Sequence, residues 1–310
     1  MKYPVIEDIL PRGINDETNH LSNLSKLIDE AIDFGTNLLK WDTENKLSGD
    51  ENIVHLLFFR NILSIADGIS ILIKNSSIEN GKSLVRVLME SIFSLEYLLQ
   101  ENTKNRALSY FVCNAHKDIK FSEKLDFTTE TGKQFRADIA KDRLAKDTVF
   151  NDNPIYNIAK QNAIELLKLP DYINVEQEYQ RTHAKKKNPN WFTLYDGPID
   201  IEQLASRINL NAFYQIHYRA YSTNIHSTSV HKNKLWPNGD GTVDIIQIRH
   251  SKDSIAVSVD TLNFLILTYT TFQQKRLPRK KNEMLNWYLD FRTEYLKLIQ
   301  ASKDTNNETV

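Results

Sequence analysis

Two long apolar stretches, Asp50–Lys74 and Ile78–Glu101, follow each other with only Asn75–Ser77 between them. Both carry apolar residues at three- and four-residue spacings and around most of the helical circumference. A helix that is apolar on nearly every side needs cover on every side, so this pair belongs at the buried centre of a helical bundle. Nine Gly and eight Pro in 310 residues supply too few turn formers for an all-β chain. The fold class expected is all-α in the main, a multi-helix bundle.

The rest of the chain repeats the pattern. Leu21, Leu24, Leu27, Ile28, Ala31, Ile32, Leu38 and Leu39 line one face of a helix running from Asn19 to about Trp41. Further helices are predicted over 105–120, 155–167, 201–208, 212–226, 257–274 and 282–301. Residues 121–148 are polar and less patterned, and 171–200 read as a connecting region. Val243–Ile248 alternates like a strand and suggests a small β-hairpin within 234–249. The expected organisation is a lead-in over 1–18, one helical domain over 19–301 and a flexible tail over 302–310. Any sub-boundary falls within 171–200.

A net charge of −1 excludes a globally basic nucleic-acid binder but leaves local basic patches open. Cys113 is the only cysteine, so neither an intrachain disulfide nor a CxxC metal knuckle can form. It reads as a core residue. The N-terminus shows no basic stretch followed by an apolar one, which predicts no signal peptide. The most lipid-like window, 53–73, contains His55, Arg60 and Asp67, which a helix outside a membrane can turn to water. A cytoplasmic protein with no membrane association is expected.

The chemistry concentrates in 214–231, which holds His217, His226 and His231. Arg219, Ser222 and His226 fall on one helical stripe spanning about 10 Å. A guanidinium, a hydroxyl and an imidazole in line suit a phosphate: the first neutralises it and the last moves a proton near neutral pH. The structural alternative has Arg219 pairing with an acid on a neighbouring helix and His226 bonding to a carbonyl. His226 and His231, five apart, diverge on a helix, and no HExxH occurs, so no metal site or cofactor is expected. A metal-dependent hydrolase would need three of Glu90, His217, His226, His231 and nearby carboxylates to converge.

Arg86 and Glu90 are an i,i+4 pair among apolar flanks, which predicts partial burial and satisfaction of each by other groups. Lys185, Lys186 and Lys187, followed by Trp191, join cations to an aromatic ring that could stack on a base. A second basic run spans 275–281. Taken alone, each run reads first as a solvated loop.

The block 56–99 with Arg86-x-x-x-Glu90, then Trp191, Ile201-Glu202-Gln203-Leu204-Ala205 and Tyr214-x-x-x-Tyr218-Arg219-x-x-Ser222-x-x-x-His226, resembles a bacterial family called domain of unknown function 5677. The resemblance spans roughly residues 50–270. Arg219-x6-His226 is also similar to the Arg-x4–6-His pattern of HEPN ribonucleases, although Ala220 stands where those motifs commonly carry a polar residue. That likeness implies metal-independent RNA cleavage, commonly across a homodimer, by a toxin or antiviral effector. Arg219 would hold the phosphate, His226 would move the proton and Ser222 would assist. Arg86, Glu90 and Tyr218 would support them. The alternative is a non-catalytic helical module that binds a protein or nucleic acid.

Overall fold

The computed structural model describes residues 4–12, 17–148, 154–222 and 234–307. The chain is mainly helical and divides into two compact units, one formed by residues 1–101 and 201–310 and the other by 102–200.

The first unit is built on α1 (Glu17–Glu44), α2 (Asp50–Lys74), α3 (Ile78–Gln100) and α11 (Ser254–Arg276). α1 packs on α2, α2 on α3, and α11 on α1, α2 and α3. The fully buried Val85, Leu88 and Ile92 of α3 and Phe59, Ile62 and Ile69 of α2 form the centre that their apolar circumference demands. Aromatic rings fill the far end. Phe59 lies 4.2 Å from Phe272, Phe34 stacks on Trp287 at 4.2 Å, and the buried Tyr269 donates its hydroxyl to Ala31 O at 2.9 Å. Gly35 is where Tyr269 and Leu63 press on α1, and a Cβ there would collide with both.

α12 (Lys281–Asn307) packs on α11 and α1 and carries helix into the stretch expected to be a tail. Leu235–Pro237 and Val243–Ile245 pair antiparallel, forming the hairpin expected from the alternation at Val243. His55, expected to face water, is instead fully buried on α2, whereas Arg60 and Asp67 are exposed. α2 and α11 are each long and apolar enough to cross a membrane by length and composition.

In the second unit α4 (Thr103–Leu125) packs against α5 (Glu130–Lys141), α6 (Pro154–Lys168), α7 (Pro170–Lys185) and a short turn at Trp191–Thr193. α7 corrects the reading of 171–200 as connection. Pro170 sits at the first helical position, where its fixed φ and missing N–H cost nothing, and Tyr172, Val175, Tyr179 and Thr182 form a buried stripe. That stripe carries two tyrosines and a threonine, so its periodicity was diluted by polar atoms in the sequence.

Candidate functional site

Three short segments of the first unit follow α8 (Ile201–Arg207): α9 (Asn211–Phe213), a π-helical turn (Tyr214–Tyr218) and α10 (Arg219–Ser222). α8 and α10 both pack on α3. The wider π turn directs neighbouring residues to different helices, a distortion that commonly accompanies functional sites. Phe213 stacks on His217 and meets Phe264 of α11, while Tyr214 stacks on Tyr218. The two stacks turn His217 toward α11 and Tyr218 toward α3.

On the α11 side, His217 donates from Nδ1 to Asp260 Oδ2 at 2.8 Å, and the Tyr221 hydroxyl donates to the same oxygen at 2.6 Å. Asp260 is buried, and these two donors satisfy its Oδ2 away from water. The hydrogen bond to the carboxylate holds the His217 imidazole above its ordinary pKa, against a smaller opposing effect of burial. Burial, and then the Asp260 charge, push the Tyr221 phenol far up, so it stays a neutral donor. His217 keeps 31% of its side chain exposed, and its Nε2 has no hydrogen-bond partner among the described residues. A half-exposed imidazole anchored at one nitrogen and open at the other can exchange a proton with a ligand.

On the α3 side, Tyr218 donates its hydroxyl to Glu90 Oε1 at 2.7 Å and accepts from Arg86 Nη2 at 2.8 Å. Arg86 and Glu90 approach to 3.4 Å, and the guanidinium lies 4.8 Å from the Tyr218 ring centre. Burial, and then Glu90, push the Tyr218 phenol up to about 12. Arg86 Nε is buried without a hydrogen-bond partner among the described residues.

One turn earlier on α3, Lys82 bonds Glu79 at 2.6 Å and Asp253, at the start of α11, at 2.7 Å. Burial alone would lower the Lys82 pKa, but the two carboxylates outweigh it and raise it. Lys234 reaches Glu79 at 3.2 Å. A polar seam thus follows α3 from Glu79 to Glu90 and α11 from Asp253 to Asp260.

The structure joins Arg86, Glu90 and Tyr218 in one network. Arg219 stands apart, its side chain 59% exposed, 3.3 Å from Glu202 on α8 and over the Tyr214 ring at 5.8 Å. Ser222 is half-buried at the end of α10. His226 and His231 lie outside the described residues. In the second unit Lys185 and Lys187 are exposed, and Lys186 donates to Ile199 O at 2.6 Å. Trp191 is only 8% exposed and packs against Tyr110 and Phe192, so it offers no open face to a base.

The sequence reading passed over Asp260 and Tyr221. A signal existed for the first, since Asp260 is the only charged residue between Ser254 and Lys275. Among the described residues, no group of three or more His, Cys, Asp or Glu is placed to hold a metal ion.

No curated protein and no solved structure matches the chain. A family match covers residues 52–242, from α2 through the second unit to the π turn and the hairpin loop. It takes in Arg86, Glu90, His217, Tyr218 and Arg219 and ends before Asp260. With more than half of the 310 residues matched, the chain belongs to DUF5677, a family of unknown function.

Proposed function

We propose that this protein is a metal-independent, HEPN-like endoribonuclease acting in the bacterial cytoplasm, as an effector of defence or toxicity. The observation that carries the reading is the His217–Asp260 pair: an imidazole with one nitrogen fixed on a buried carboxylate and the other open. Such an imidazole is stabilised in its protonated form and suits the role of general acid.

RNA cleavage without a metal needs a base, an acid and a cation. In the proposed reaction His226 accepts the proton of the ribose 2′-hydroxyl, and O2′ attacks the adjacent phosphorus. The bond from phosphorus to O5′ breaks as His217 Nε2 delivers a proton to O5′. The products are a 2′,3′-cyclic phosphate and a 5′-hydroxyl. Arg219, exposed and paired only at 3.3 Å with Glu202, exchanges that partner for the phosphate. The Arg219-x6-His226 spacing supplies the base from sequence, and Ser222 assists from the same segment.

A non-catalytic binding module is the second reading. It is favoured by the hydrogen bonds that join Arg86, Tyr218 and Glu90 to one another, which can serve packing alone.

The test incubates wild type, His217→Ala and His226→Ala with total RNA and a defined tRNA in EDTA and reads the cut ends. The expected result is cyclic-phosphate ends from wild type, reduced about a hundredfold or more in each variant. Equal cutting by wild type and variants, or none by any of them, supports the binding module.

A further inference from the structure

The second unit contains a separate pocket of about 410 Å³ between α4 and the end of α7. That volume is in the range of small-ligand sites. Lys117, Lys120 and Lys124 line it from α4. Their spacing places them along one helical face over about 10 Å. Among the described residues none of the three pairs with a carboxylate; Lys117 reaches only Asn114, and Lys120 only Asn188. Like charges at these spacings repel. An anion entering the pocket would relieve that repulsion.

The walls add a second chemistry. Phe121 lies between Lys120 and Lys124 with 53% of its surface exposed, and the Tyr156 ring supports it edge-on at 6.0 Å. Opposite, His116 lies flat on Tyr179 at 3.8 Å and is fixed through Nε2 to Glu176 at 2.7 Å. The buried Cys113 gives the floor an apolar surface. Asn188 accepts from Lys120 through Oδ1, which leaves its Nδ2 as a donor at the rim.

We propose that this pocket binds a nucleoside di- or triphosphate, with the phosphates across Lys117, Lys120 and Lys124 and the base stacked on Phe121. Three cations within about two turns of helix match a short polyphosphate. A single exposed ring matches one base. A nucleic-acid strand needs a succession of stacking platforms, and the other aromatic ring of the pocket, Tyr179, is buried beneath His116. The site is independent of the nuclease reading and draws on no residue of the first unit.

The experiment is calorimetric titration of the full-length protein with ATP, GTP, tripolyphosphate, adenosine and a twenty-nucleotide oligouridylate. ATP or GTP is expected to bind about tenfold tighter than tripolyphosphate, and adenosine not measurably. Phe121→Ala should weaken nucleotide binding about tenfold and leave tripolyphosphate unchanged. Lys117→Glu with Lys124→Glu should abolish both, and the paired Gln variants should weaken both, with thermal melts showing each variant folded. Three results overturn the proposal: no nucleotide binding; tripolyphosphate as tight as ATP with Phe121→Ala silent; or oligouridylate binding where ATP does not.

Discussion

His217 and Asp260, 43 residues apart in sequence, are joined by an Nδ1 to Oδ2 hydrogen bond of 2.8 Å between the π turn and α11. The bond fixes the tautomer of the neutral ring, with hydrogen on Nδ1 and a lone pair on Nε2. It also ties the segment containing Arg219 to the core bundle, because Asp260 lies in the fully helical α11 that contacts α1, α2 and α3.

Asp260→Asn should lower the His217 pKa, seen in the pH titration of its ring protons by NMR. If His217 is the general acid, the alkaline limb of the cleavage profile should move to lower pH, with the rate at pH 8 falling about tenfold. The stability linkage has the same sign. A histidine whose folded pKa is raised stabilises fully below its ordinary 6.5 and loses that contribution as pH rises through the folded value. Wild type should therefore show a decline in this window that Asp260→Asn lacks. An unchanged imidazole titration in the variant would dismiss the pairing.

Glu96 and His55 should pull stability in opposite directions with pH. Burial of Glu96 lifts its carboxyl to about 7, against a hydrogen bond from Thr271, and Oε1 is left unpartnered. The folded state holds that proton between about 4.5 and 7 while the unfolded chain has released it, so stability falls as pH rises across this range. His55 behaves oppositely. Burial and the nearby Arg276 hold it at about 4 against the weaker pull of the Glu51 and Asn52 carbonyls, with no well-formed hydrogen bond at either nitrogen. The unfolded chain takes up its proton below 6.5, so stability falls as pH drops from there toward 4. Each slope is worth roughly 3 kcal/mol, and in wild type they offset one another. Urea unfolding of Glu96→Gln should expose a stability that rises with pH between 4.5 and 7, and His55→Asn one that falls. Parallel curves for all three proteins would refute this.

Asp42→Ala should destabilise the first unit by about 3–5 kcal/mol, measured by urea unfolding at pH 7. The Asp42 carboxylate is completely buried and takes three bonds from Arg276, at 3.0 to 3.4 Å, and among the described residues the guanidinium has only Asn52 besides. Removing the acid strands a buried cation. A loss under 1 kcal/mol would mean that water reaches Arg276.

The sequence by itself determined the helices of the first unit. The apolar residues of α1, α2, α3 and α11 repeat at the helical period, and a helix apolar on most sides can satisfy that surface only by packing. It also marked the hairpin at Val243, and it marked Arg86, Glu90 and Tyr218 as worth attention. α7 was missed because three of the four residues in its buried stripe carry a hydroxyl. His55 was misplaced because a lone imidazole in an apolar helix looks the same whether it faces water or an arginine from α11.

Only the tertiary structure decided which charges meet. Asp42 and Arg276 are 234 residues apart, and Lys82 and Asp253 are 171 apart. Hydrogen bonds act over about 3 Å, so such partners depend on how helices pack rather than on any local spacing. Arg219 illustrates the limit. Its helical stripe is readable in the chain, but that its nearest acid is Glu202, brought over by α8, follows from packing alone. Helix periodicity is a local property and is written in neighbouring residues, whereas a polar network is written in the fold.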